Sequence, residues 1–346
     1  MSITIENRKK TPRLAIVGCG AIAETFFLPA LAKQSGVIER LILVDVDQER
    51  VVSLAEIFGV RYHLADYHEL LYEQLDGVIV ATPHNLHYPI TMDFLENGVH
   101  VLCEKPLAES SAQAKEMVNL ARKNGVKLCV NNTRRLFPSS IKVKELITEG
   151  HLGDLISMEY YEGGAFSWPT TSGFYFNSKE SPKGVLLDRG GHVLDLACWW
   201  LGEKPDLILS QNDSFGGPEA VTHIQYEHGG CQGKIKLSWL FKLGNVYRIE
   251  GTQGAIEGSI YERNTFTFTP KSSEPQKIKL KSVEKDFYDF GNTIISNFLK
   301  VISGEEEPLI SGAEVLDSIK FIEESYNHAS RFEMPWYASW VNNNGK

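Results

Sequence analysis

No stretch of this 346-residue chain approaches the ~18 consecutive apolar residues that a membrane-spanning helix needs. Basic residues are also in deficit. Lys and Arg number 35 against 44 Asp and Glu, a net charge of −9, whereas general nucleic-acid binding relies on a basic surface that displaces phosphate counterions. Cysteine is scarce and odd in number: the five (Cys19, Cys103, Cys129, Cys198 and Cys231) include no C-x-x-C pair and mostly sit in apolar stretches. That usage reads as reduced core thiols in a cytoplasmic protein. The basic residues Arg8, Lys9, Lys10 and Arg13 precede an apolar run too short for a signal peptide, which ends in Gly18-Cys19-Gly20 rather than a cleavage site. There is no internal repeat, low-complexity tract or long linker. What remains is a composition ordinary for a globular enzyme, 42% apolar and 23% charged, at a length that suits about two domains. Such a chain buries roughly three-quarters of its unfolded surface, so its core needs no metal or disulfide support.

The first third alternates short apolar runs with helical patterns. Runs at 14–17, 41–44, 77–81, 99–103 and 127–130 are separated by helix-period segments at 21–33, 48–58, 88–97 and 111–124. Unbroken apolar strands alternating with helices of ~10–15 residues describe parallel βαβ units covered on both faces. After about residue 130 the texture changes. Strand-like segments at 156–161, 220–226, 231–240, 247–251 and 265–269 show polar–apolar alternation and are divided by Gly-rich turns. Helical patterns interrupt them at 140–149, 193–201, 283–302 and 312–328. This predicts an α/β domain over residues 1–131 and an α+β domain over 132–346. The second sheet has one face wet or paired with a partner.

Gly18-Cys19-Gly20-Ala21-Ile22-Ala23 has the form G-x-G-x-x-A, follows a predicted strand and opens a predicted helix. Gly18 permits the tight turn and Gly20 the close approach of a pyrophosphate. Ala23 lets helix and strand pack closely, and the helix N-terminus supplies N–H donors. Asp45 ends the second strand, where an acidic residue binds both ribose hydroxyls of an adenosine. A carboxylate there repels the 2′-phosphate of NADP, and Asp47 adds negative charge, so the expected cofactor is NAD.

Lys105 lies in Glu104-Lys105-Pro106 directly after a strand, at the carboxyl edge where open α/β sheets bind ligands. A lysine there can bond a substrate oxygen and ease proton loss from a reacting alcohol, or be a surface residue beside a helix start. Asp188, His192 and Asp195 are spaced by four and three residues, which puts them on one helical face. A histidine between two carboxylates is suited to acid/base work. A zinc site is the rival reading, but no third ligand of suitable spacing is evident, so no metal is expected.

Together these strings resemble the Gfo/Idh/MocA family of dehydrogenases. The resemblance runs through the glycine turn, Ala81-Thr82-Pro83-His84-Asn85-Leu86-His87, Glu104-Lys105-Pro106, Arg134-Arg135-Leu136-Phe137-Pro138, Glu149-Gly150-His151-Leu152-Gly153 and the Asp188/His192/Asp195 group. It implies a Rossmann domain followed by an α+β domain with a large, mostly antiparallel open sheet that often serves as an oligomer interface. A homodimer or homotetramer is therefore expected.

The resemblance also implies roles. Lys105 would orient and polarise the reacting oxygen and His192 would be the general acid/base. Asp188 would bind substrate hydroxyls or position His192. The turn residues Gly18, Cys19, Gly20, Ala21 and Ile22, with Asp45, would hold the cofactor. Thr82 and Glu104 would lie near it, and Asn85 and His87 would line its nicotinamide side. Arg189 departs from the family pattern, in which an apolar or small residue is common, so Arg134, Arg135 and Arg189 are candidates to bring cationic groups to the pocket. Arg135, part of a recurrent string, is assigned either to an ion pair or to substrate. Phe166, Trp168, Phe174 and Tyr175 either stack on a sugar ring or pack a loop.

The implied function is hydride transfer between NAD(H) and a secondary alcohol or ketone of a sugar or cyclitol. The alternatives are a nucleotide-sugar or sugar-phosphate dehydrogenase, and a ligand-sensing regulator on the same fold.

Overall fold

The structure, a computed structural model, describes residues 11–170, 173–176 and 183–333. The basic residues Arg8, Lys9 and Lys10 and the side chain of Phe174 lie outside the described residues. Six strands, β1 (Leu14–Val17), β2 (Ile42–Val44), β3 (Tyr62–Leu64), β4 (Gly77–Val80), β5 (His100–Glu104) and β6 (Leu128–Asn131), form an all-parallel sheet in the order β3-β2-β1-β4-β5-β6. Every residue of β1, β4 and β6 is buried, as strands covered on both faces require. The strand order reverses between β1 and β4, which opens a crevice at their carboxyl ends.

Helices α1 (Leu28–Ala32), α2 (Gln48–Phe58), α3 (His84–Glu96) and α4 (Ser111–Lys123) cover this sheet. Side-chain caps start two of them: Asp47 accepts the Arg50 N–H of α2, and Ser110 accepts the Gln113 N–H of α4. The helix expected over 21–33 is not uniform. A π-helical turn at Ala23–Phe27 precedes α1, with the Leu28 N–H bonded five residues back to the Ala23 carbonyl. Pro29 follows, has no N–H and cannot continue an ordinary helical ladder.

The second domain packs α5 (Pro138–Thr148), α6 (Val185–Asp188) and α7 (Gly190–Leu201) on a nine-stranded sheet. Its strands are β7 (Leu155–Gly163), β8 (Asp206–Asn212), β9 (Val221–His228), β10 (Cys231–Ser238), β11 (Val246–Gly251), β12 (Gly254–Ser259), β13 (Thr265–Pro270), β14 (Gln276–Lys279) and β15 (Ala329–Arg331). They run in the order β14-β13-β12-β11-β7-β10-β9-β8-β15. All neighbours are antiparallel except β7 with β10 and β8 with β15.

A linear division at residue 131 does not capture one feature of the packing. Helix α8 (Phe290–Ile302) returns to the first sheet, where Phe290, Ile295 and Phe298 share a core with Leu14, Ile16 and Phe26. The Val130 N–H then bonds the Ile310 carbonyl at 2.9 Å, and α9 (Leu316–Asn327) lies between α4 and α7. Helix α8 also starts later than the expected residue 283. Asp286 accepts the N–H groups of Tyr288 and Asp289 at 2.8 and 3.1 Å, a local turn that competes with helix.

All five cysteines are buried free thiols, and burial pushes Cys19 up to about 12. Among the described residues no helix is long and apolar enough to cross a membrane.

Candidate active site

A cavity of about 1130 Å³ runs from the carboxyl edge of the parallel sheet to the second domain. It exceeds the roughly 300–1,000 Å³ usual for a single drug-sized ligand, which leaves room for an extended dinucleotide and a second small molecule.

One half is built on the glycine turn. Gly18 adopts φ +97°, and a Cβ there would stand 2.5 Å from the Ala81 carbonyl oxygen, so both backbone conformation and the end of β4 require glycine. Gly20 faces open space, with nothing within 4 Å of where its Cβ would be. That bare backbone is the cradle a pyrophosphate needs, and Gly20, Ala21 and Ile22 all line the cavity.

Asp45 stands at the end of β2 with one oxygen taking the Cys19 N–H at 2.6 Å and the other the Asp47 N–H at 2.9 Å. Each oxygen keeps lone pairs for a ribose hydroxyl. The Cys19 N–H thus holds Asp45, and Cys19 itself is not among the residues lining the cavity. Arg50 reaches back from α2 to the Cys19 carbonyl and pairs with Glu24 at 2.7 Å. Its charge is thus paired with Glu24, and Arg50 lines the cavity. Thr82 lines the cavity, and its hydroxyl is buried with no hydrogen-bond partner among the described residues.

His87 is fully buried and ties two loops together. Its Nε2 lies 2.9 Å from the Thr82 carbonyl and its Nδ1 2.8 Å from the Pro106 carbonyl. Asn85, expected on the same side, is exposed and does not line the cavity. It sits in the first turn of α3, where His84 and His87 take the inward positions.

The other half is built from both domains. Glu104 ends β5, accepts hydrogen bonds from the Asn131 amide and the Lys105 N–H, and has its carboxyl pushed up to about 7 by burial. Lys105 extends to Asp188, with its Nζ 3.1 Å from the carboxylate and 2.9 Å from the backbone carbonyl. The second Asp188 oxygen accepts the Trp239 indole N–H at 3.1 Å. Nothing in the spacing around Asp188 announced Trp239, which lies 51 residues away at the end of β10.

His192, in the first turn of α7, lines the same cavity. Burial, then the charges of Lys105 and Arg134, hold its pKa well below the ordinary histidine value, so the imidazole is neutral near pH 7. Its Nδ1 is buried with no hydrogen-bond partner among the described residues. A neutral ring beside an ammonium can accept a hydroxyl proton, while Lys105 stabilises the oxygen left behind. Tyr175 lines the cavity against His84 and Trp239, at ring separations of 5.6 and 6.0 Å.

Two expected members belong elsewhere. Asp195 does not flank His192 in the pocket; it is buried in a two-pronged ion pair with Arg135, both contacts 2.7 Å. Arg135 also donates to the Glu314 carbonyl at 3.0 Å and does not line the cavity, so its guanidinium joins elements rather than facing substrate. Its neighbour Arg134 does line it, bound to Glu162 at 2.6 and 2.9 Å.

A Rossmann domain with a dinucleotide crevice and a lysine at its carboxyl edge, completed by an α+β domain carrying a carboxylate and a neutral histidine, defines an NAD-binding oxidoreductase. The chain belongs to the GFO/IDH/MocA family. Residues 12–132 match its oxidoreductase domain with NAD-binding Rossmann fold, and residues 140–257 match the GFO/IDH/MocA C-terminal domain. It is 26% identical over 316 residues to the 1,5-anhydro-D-fructose reductase of Ensifer adhaerens, covering 87% of this chain and 91% of that one. To the D-glucoside 3-dehydrogenase of Escherichia coli (strain K12) it is 31% identical over 194 residues, 55% of this chain and 54% of the other. Its fold is similar to that of a 3-ketoreductase from Actinomadura kijaniata, solved with NADP and TDP-benzene. The TM-score is 0.81 at 20% identity, over 94% of this chain and all (100%) of the other.

Proposed function

We propose that the protein transfers hydride reversibly between NAD(H) and a secondary alcohol or the matching ketone of a sugar or cyclitol. The observation that carries this reading is the meeting of Lys105, Asp188 and His192 in the cavity whose other half is the glycine turn. When bound, the nicotinamide supplies a two-electron hydride acceptor or donor. Gly20, Ala21, Ile22, Thr82 and Asp45 would hold the dinucleotide, with Asp45 placed to accept from the adenosine ribose.

In the oxidation direction the hydrogen of the substrate C–H departs as hydride with the bonding pair, the hydroxyl loses its proton, and the C–O bond becomes the C=O of the ketone. His192 takes that proton. Lys105 steadies the developing negative charge on the oxygen, and Asp188, fixed by Lys105 and Trp239, orients the substrate's hydroxyls. Relatives named for anhydrofructose and glucosides support a carbohydrate substrate.

The same reading makes the protein a cytoplasmic homodimer or homotetramer. The five free thiols support the compartment. The nine-stranded sheet supports the assembly: along β7 the inward Met158, Tyr160 and Glu162 are buried, while Glu159 and Tyr161 face outward and are partly exposed.

The direct test is a panel of cyclitols, aldoses and their keto forms, followed by nicotinamide absorbance with NAD or NADH. Turnover of one carbohydrate class is expected. Absence of turnover across the panel, with cofactor binding intact, contradicts the reading.

A further inference from the structure

Three cations line the cavity around Asp188 and His192: Lys105, Arg134 and Arg189. Two are matched inside the protein. Lys105 pairs with Asp188 at 3.1 Å and Arg134 with Glu162 at 2.6 Å. Arg189, half-buried between α6 and α7, has no carboxylate partner among the described residues. Its Nη1 donates to the Ser238 carbonyl at 2.7 Å and its Nη2 to the Gly164 carbonyl at 3.2 Å. Those carbonyls stand where the parallel strands β7 and β10 end together, so they fix the plane of the guanidinium without neutralising it. Of its five N–H donors, three remain unused. Glu104, the remaining acid at this end, has its oxygens directed at Asn131 and the Lys105 N–H.

We propose that the pocket selects a carbohydrate bearing a carboxylate, a sugar acid of the uronate or aldonate type, with Arg189 as the residue that selects it. This rests on the reading of the cavity as the substrate site. A planar carboxylate accepts two parallel N–H bonds from one guanidinium, and its single charge matches the one cation beside Asp188 and His192 that has no carboxylate partner among the described residues. A phosphate ester carries nearly two charges and three acceptor oxygens, more than one pre-engaged guanidinium satisfies. A neutral polyol leaves the half-buried charge unanswered.

The test is binding rather than turnover, so that it is separable from the catalytic reading. Calorimetry on the NADH-saturated protein compares matched pairs differing by one carboxylate: D-glucuronate with D-glucose, and D-galacturonate with D-galactose. The acid is expected to bind about ten- to hundredfold tighter, the range of charge-assisted hydrogen bonds. That ratio should fall toward one in Arg189→Met and recover in part in Arg189→Lys. Arg263, which also lines the cavity and donates to the Lys285 carbonyl, is the control, and Arg263→Met should keep the ratio. Equal binding of acid and neutral partners, binding of neither, or a ratio that survives Arg189→Met overturns the inference. Tight uronate binding without hydride transfer would contradict the catalytic reading alone.

Discussion

Glu104 is a buried carboxyl at the junction of cofactor and substrate halves, raised to about 7 by burial despite the bonds from Asn131 and Lys105. A folded pKa above the unfolded one means the native state binds the extra proton. The associated stability is present in full below about 4.5, the unfolded value, and is lost as pH rises through about 7. Glu104→Gln removes this dependence. The difference in melting temperature between Glu104→Gln and wild type, measured without cofactor, should therefore move in the variant's favour from pH 5 to pH 7 and then level off. A difference that is flat across that window contradicts the assignment. At this scale the sequence was informative where chemistry sits in a short string, as at Lys105 and at Asp188 with His192. It was silent where a partner comes from far along the chain. Trp239 on Asp188 and Arg50 on the Cys19 carbonyl are both contacts made only by the fold.

Elements explain which expectations moved. Helical spacing put Asp188, His192 and Asp195 on one face, and the backbone stays helical through Arg189 between α6 and α7, but their partners differ: Asp188 meets Lys105 and Trp239. Asp195 turns to Arg135 on a 3-10 turn, Thr133–Leu136, and the pair is almost wholly buried. Breaking such a pair leaves a buried charge unanswered, so Arg135→Met should cost about 3–5 kcal/mol in denaturant unfolding. A variant that unfolds like wild type yet binds substrate poorly would return Arg135 to the pocket. The buried parallel strands were legible because their apolar runs are unbroken. Five others, β3, β8, β12, β14 and β15, were not. β3 is mostly exposed, β12 is half glycine and serine, and β14 is the edge strand Gln-Lys-Ile-Lys. β12 does alternate in burial, but glycine holds two of its inward positions, so Ile256 alone marks that face as apolar in the sequence. At the end of β2, Asp45 is held ready for a ribose and repels a 2′-phosphate. NAD should be used at least ~10-fold better than NADP, and Asp45→Ala should narrow the gap; equal catalytic efficiency with both contradicts this.

At the scale of the whole molecule, the return of α8 to the first sheet makes the first domain discontinuous in chain order, with the cavity between the two domains. The outward face of the nine-stranded sheet carries Glu159, Tyr161, Lys234, Lys236 and Arg248. Light scattering at micromolar concentration should report a dimer or tetramer, and Tyr161→Asp should shift it toward monomer. A wild-type protein that is only monomeric contradicts assembly through that face. The central claim is that Lys105 and His192, brought to one cavity by different domains, act on the reacting oxygen, and one measurement tests it most directly. This is kcat on a confirmed substrate for Lys105→Ala and His192→Ala, alongside NADH affinity and thermal melts. General acid/base groups are worth ~10²–10⁴ in rate, so each variant should lose that much in kcat while NADH affinity changes far less. Near-wild-type kcat in either folded variant would contradict the account.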